Sequence, residues 1–113
     1  MGVWKGDLDS TDIPPAKISD ITVIDGTLYL YSNIDLSSLY FIKNHLIIYQ
    51  GRRNRERMNL KSLKYVDGYI NIYSGVKVEL PELTKVNGKI WIHPDAEVKM
   101  HKRLRMLMIA KGI

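Results

Sequence analysis

The sequence predicts a mainly β protein: a short right-handed parallel β-solenoid of about four coils, closed by a C-terminal helix. Three observations predict it. A pattern L-x-x-L-x-x-V-x-G-x-I-x-I occurs at residues 60–72 and again at 80–92, placing Val86 20 residues after Val66. Two weaker copies lie upstream, so the anchors Ile24, Ile42, Val66 and Val86 follow one another at intervals of 18, 24 and 20 residues. Self-similarity at such a period marks stacked repeats, each unable to bury its apolar face alone. Third, the apolar spacing changes within each repeat. It is three before the turn (Leu39/Ile42, Leu63/Val66, Leu83/Val86) and two after it (Leu28/Leu30, Leu46/Ile48, Ile70/Ile72, Ile90/Ile92). Spacing by two is the period of a half-buried strand.

Taken in order, residues 1–17 are polar and turn-prone. Pro14 and Pro15 remove two backbone donors and hold Ile13 extended. This segment is expected to be a leader or irregular edge cap, with Trp4 and Leu8 able to dock on the first coil. Residues 18–100 form the solenoid. Its repeats close at Leu36, Leu60, Leu80 and Met100, and each is expected to hold one short strand after a tight corner. The corner position reads Gly26, Asn44, Gly68, Gly88. Because Asn tolerates positive φ better than other non-glycine residues, a left-handed corner is expected at all four.

The expected core is Ile21, Ile24, Leu28, Leu30, Leu36, Leu39, Ile42, Leu46, Ile48, Leu60, Leu63, Val66, Ile70, Ile72, Leu80, Leu83, Val86, Ile90 and Ile92. The alternative architecture is a set of antiparallel hairpins turning at Asp67-Gly68 and Asn87-Gly88. The three-residue spacing before each turn argues against it. Residues 101–113 break the repeat. Leu104, Leu107, Met108 and Lys111 follow helical spacing and Gly112 is a stop, which predicts a capping helix.

The chain of 113 residues is long enough to bury one core without metal or disulfide. It contains no Cys, which removes thiolate chemistry and suits a reducing compartment. The first residues lack the basic and apolar regions of a signal peptide, and no apolar run nears the about 20 residues needed to span a bilayer. A cytoplasmic protein without membrane contact is expected. Charge is uneven along the chain. Residues 1–35 carry six acids and two bases; the remaining residues carry six acids and fifteen bases. That split would steer an anionic partner toward one end.

The L-x-x-L-x-x-V-x-G-x-I-x-I run, followed by V-x-L-P, resembles leucine-rich-repeat-like coils over roughly residues 18–100. It is most similar to short receptor L-domain-like coils and to repeats of bacterial and phage proteins. The chain departs from them in lacking a regular Asn ladder. The resemblance implies a scaffold for a partner, and in a phage setting an inhibitor of a bacterial defence protein.

No phosphate loop, nucleophile elbow, paired-His helix or calcium loop is present, and His45, His93 and His101 show no shared ligand spacing. The expectation is a non-enzyme without cofactor or metal. Stacking the repeats in register gives three outward columns: Thr27–His45–Tyr69–Lys89, Tyr29–Ile47–Asn71–Trp91 and Tyr31–Tyr49–Tyr73–His93. Each is expected to be a near-continuous ladder, with parallel strands about 4.8 Å apart. Tyr and Trp carry energy at protein interfaces, although aromatic ladders also simply favour strand stacking.

The second feature is an insertion, 12 residues from Ile48 to Leu60 against 8 in the later repeats. It carries Arg52, Arg53, Arg55 and Arg57, whose forks suit carboxylates and phosphates alike. Two partners therefore remain open. One is a protein with an acidic rim, bound by Tyr29, Tyr31, Tyr49, Tyr69, Tyr73, Trp91, His93 and the four arginines, with this chain a monomer or weak homodimer. The other is nucleic acid, bound through the Arg loop and the basic C-terminal half.

Overall fold

The computed structural model describes residues 2–10, 19–31, 36–49 and 58–100. These form thirteen short strands and no α-helix. In chain order they are β1 (Val3–Lys5), β2 (Leu8–Asp9), β3 (Val23–Asp25), β4 (Leu28–Leu30), β5 (Phe41–Ile42), β6 (Leu46–Ile48) and β7 (Met58–Asn59). The later coils add β8 (Tyr65–Val66), β9 (Ile70–Ile72), β10 (Lys77–Leu80), β11 (Lys85–Val86), β12 (Ile90–Ile92) and β13 (Glu97–Met100).

The strands stack into three parallel sheets, one for each side of the coil. The first runs β1-β3-β5-β8-β11, the second β2-β4-β6-β9-β12 and the third β7-β10-β13. The expected register holds: Leu28, Leu46, Ile70 and Ile90 pair in one column, and Leu30, Ile48, Ile72 and Ile92 in another. Hairpins are excluded, because β8 pairs with β5 and β11 while β9 pairs with β6 and β12, all in parallel. The protein is a parallel β-solenoid of about four coils.

One strand per repeat was too few. The last three coils each carry three strands; those of the first sheet are only two or three residues long, too short to display a period, and those of the third sheet fall at the segments expected only to close each repeat. The three-residue apolar spacing has its own cause. The Leu39, Leu63 and Leu83 amides donate to the carbonyls of Leu36, Leu60 and Leu80 at 3.1, 3.2 and 3.4 Å. Each L-x-x-L is thus a β-turn leading into the first sheet, and at Leu60 and Leu80 it comes from the third.

The corner glycines also differ from expectation. Among the described residues, positive φ occurs only at Gly6 (88°) and Gly75 (78°), so Gly26, Asn44, Gly68 and Gly88 are not left-handed. Close backbone approach is the reason for glycine here: a β-carbon on Gly68 would stand 2.5 Å from the Asn44 carbonyl oxygen.

Core burial follows the expected set, with two exceptions at the end of the stack. Val86 and Ile92 are only half-buried; they belong to the last described coil, with no strand stacked beyond them among the described residues. The core also takes in Leu8, Met58, Val76 and Val78, which the expected core did not include. Leu8 arrives because residues 2–10 supply edge strands: β1 pairs with β3, and β2 with β4. The arginine loop, the two prolines and the expected C-terminal helix lie outside the described residues.

Candidate binding surface

The second sheet turns Leu28, Leu30 and their equivalents inward, so the residues between and beside them form its outer face. In the third column the rings of Tyr31 and Tyr49 stack with centroids 4.6 Å apart and 6° between planes. Tyr49 and Tyr73 continue the stack at 4.5 Å and 10°. Strand spacing sets this distance, and it coincides with the centroid separation that aromatic pairs prefer. Burial first, then the hydroxyl contact with Tyr73, pushes the Tyr49 phenol up to about 12.

The column ends at His93, whose Nδ1 lies 2.7 Å from Asp95 Oδ1. Asp95 also accepts from the Ser74 hydroxyl at 2.7 Å and the Gly75 amide at 3.0 Å. Those two bonds, the hydroxyl foremost, hold its carboxyl below the usual carboxylate range. His93 is therefore tied into a turn clasp between the last two coils.

The other two columns are not continuous aromatic ladders. In the first, Thr27 is only 3% exposed, its amide bonded to Asp7 Oδ1 at 2.8 Å. Above it His45 and Tyr69 stack at 3.8 Å, and the Tyr69 amide donates to His45 Nδ1 at 3.0 Å. In the middle column Tyr29 and Trp91 occupy opposite ends, separated by Ile47, which is buried at 8% exposure, and Asn71. Tyr29 and Trp91 therefore do not meet. On this face the exposed rings gather toward the later coils: Tyr69 at 40%, Tyr73 at 37% and Trp91 at 55%.

Between the first and middle columns lies a groove of about 350 Å³, walled by His45, Tyr69, Lys89 and Trp91 over Gly68, Gly88 and Asn71. Asn71 Oδ1 is closed off from solvent and has no hydrogen-bond partner.

A further aromatic strip, on the first sheet, was not anticipated. Phe41 and Tyr65 stack at 4.8 Å, and the Lys85 ammonium sits 5.1 Å from the Tyr65 ring centre. The Tyr65 hydroxyl donates to Asp67 at 3.0 Å and accepts from the Asn87 amide at 2.9 Å. The signal was available: Val23, Phe41, Tyr65 and Lys85 each immediately precede an anchor. Assigning those positions to a corner instead of a strand hid it.

No described helix is long and apolar enough to cross a membrane, and among the described residues no three His, Asp or Glu gather as a metal site. Arg52, Arg53, Arg55 and Arg57 lie outside the described residues, so their relation to the aromatic face is not described. No family model, curated protein or solved structure matches this chain.

Proposed function

We propose that the chain is a non-enzymatic protein-binding module whose contact surface is the outer face of the second sheet. The Tyr31–Tyr49–Tyr73 stack carries this reading, because it places three parallel rings beside exposed Tyr69 and Trp91. Rings already held by their neighbours lose little freedom on association, which lowers the ordering cost of binding. The Arg52–Arg57 loop serves as a charged flank toward an acidic rim, and residues 101–113 close the last coil as a helix. The repeats resemble leucine-rich-repeat-like coils of phage and bacterial proteins. The setting that fits this likeness is a cytoplasmic, phage-encoded inhibitor of a bacterial defence protein.

The test is affinity purification from a bacterial lysate, with wild type beside a Tyr49→Ala/Tyr73→Ala/Trp91→Ala variant. Wild type should retain a partner that the variant loses while remaining folded. Recovery of the same partners by both would overturn the reading. With the partner in hand, Tyr73→Ala or Trp91→Ala alone should weaken binding by about 2 kcal/mol or more, the scale of an interface hot spot.

A second reading, binding of single-stranded nucleic acid, is favoured by the Phe41–Tyr65 stack with Lys85 beside it. Aromatic platforms next to cations are what unpaired bases stack upon. It predicts affinity that falls steeply with salt, and a flatter slope once the four arginines of the loop are replaced by Ala. No retention of DNA or RNA in a low-salt filter-binding titration would remove it.

A further inference from the structure

We infer that the groove between Tyr69 and Trp91 is a subsite for one indole side chain, a tryptophan presented by an acidic segment of the partner protein. This inference rests on the reading of the second-sheet face as a protein-binding surface.

Three features of the groove choose the occupant. Its lining is mostly rings and glycine backbone, with the stacked His45 and Tyr69 and with Trp91, joined by Ile70, Asn71 and Lys89. A volume of about 350 Å³ lies near the lower end of the range for small-ligand sites, about 300–1,000 Å³, and suits one side chain with its flanking backbone. A flat ring is the shape that such walls accept by offset or edge-to-face packing.

The second feature is Asn71. Its Oδ1 is buried without a partner, on the column between Ile47 and Trp91. A buried acceptor left unpaired is costly, so a ligand that brings one donor removes a standing penalty. Indole carries a single N–H donor and no acceptor, which matches the one unpaired Asn71 oxygen. A nucleobase edge would bring several donors and acceptors, most of which these apolar walls leave unpaired. Phenylalanine brings none. Trp91 lies on the sheet's edge strand and is 55% exposed, so it is the neighbour able to turn aside and admit the donor. Exposed side chains change rotamer within nanoseconds.

The third feature is charge. Lys89 stands at the rim, and no carboxylate lines the groove. A carboxylate flanking the bound tryptophan pairs with that ammonium at the mouth.

The experiment is an amide-correlation NMR titration of the full chain with N-acetyl-tryptophanamide, N-acetyl-phenylalaninamide and adenosine monophosphate. The tryptophan probe should shift the amides of Tyr69, Asn71, Lys89 and Trp91, and bind about threefold to tenfold tighter than the phenylalanine probe, the worth of one neutral hydrogen bond. N-acetyl-1-methyl-tryptophanamide, which lacks the N–H, should lose that advantage without any change to the protein. Asn71→Leu, an apolar side chain in a column that already holds Ile47, should erase the preference from the protein side.

Equal binding of the indole and phenyl probes overturns the inference. So do unchanged binding after N-methylation, stronger binding of the nucleotide, and shifts confined to Tyr31, Tyr49 and Tyr73. If the groove ignores the probe while the triple alanine variant still loses its partner, the subsite is wrong and the wider binding surface stands. If the groove takes the probe while that variant keeps its partner, the wider surface is wrong.

Discussion

The Gly88 amide donates to the Gly68 carbonyl at 2.8 Å, and a β-carbon on Gly88 would stand 2.6 Å from that same oxygen. The equivalent bond below, Gly68 to Asn44, is 2.7 Å. The step below that, from the Asn44 amide to the Gly26 carbonyl, is longer at 3.1 Å, and Asn44 is the only one of the four with a side chain. Glycine at this corner sets how closely successive coils approach.

Substitutions should therefore separate two kinds of glycine. Gly88→Ala and Gly68→Ala force the coils apart and should cost about 1–3 kcal/mol, the usual penalty of overpacking. Gly6→Ala meets no atom within 4 Å but holds φ at 88°. Its cost is backbone strain of about 1–2 kcal/mol. Gly6→Asn should recover part of that loss, since Asn tolerates the left-handed region, whereas Gly88→Asn should be no milder than Gly88→Ala. Urea denaturation of the five variants measures this. A neutral Gly88→Ala would show that the coils have slack at the corner.

Ile70 is fully enclosed in the core, paired in register with Leu46 below and Ile90 above. Ile70→Ala should lower stability by about 2–5 kcal/mol through lost burial and a residual cavity. Ile92→Ala removes the same atoms from a half-buried site in the last described coil and should cost less. Equal losses in denaturant titrations would mean that the last coil is as well covered as the third.

The Tyr49 phenol, raised to about 12 by burial and by Tyr73, makes alkaline stability a readout of the stack. The unfolded phenol ionises near pH 10, so above that point the unfolded chain holds fewer protons than the folded one. The stabilising contribution is complete below pH 10 and is lost as pH rises toward 12. Tyr49→Phe keeps the ring and removes the titration, so its denaturation midpoint should decline less steeply between pH 10 and 12. Parallel declines for both proteins would show that Tyr49 is not held neutral by the stack.

The repeat residues alone determined the parallel stacking and its register. Leu28, Leu46, Ile70 and Ile90 can share one interior column only if the intervals between repeats are absorbed in the corners. That is a matter of periodicity, which a linear sequence records directly. The Tyr31–Tyr49–Tyr73 column followed from the same alignment, because residues one repeat apart must be neighbours in a parallel stack.

Tertiary structure alone decided what depends on distance between coils. It made Gly68 a contact residue instead of a left-handed one, and covered Thr27 with Asp7 from the turn between β1 and β2. It also interrupted the middle column with a buried Ile47, and left Asn71 Oδ1 without a partner beneath a ring-walled groove. Residue type states what a side chain can do. Whether a neighbour less than 3 Å away permits it is set only when the coils pack.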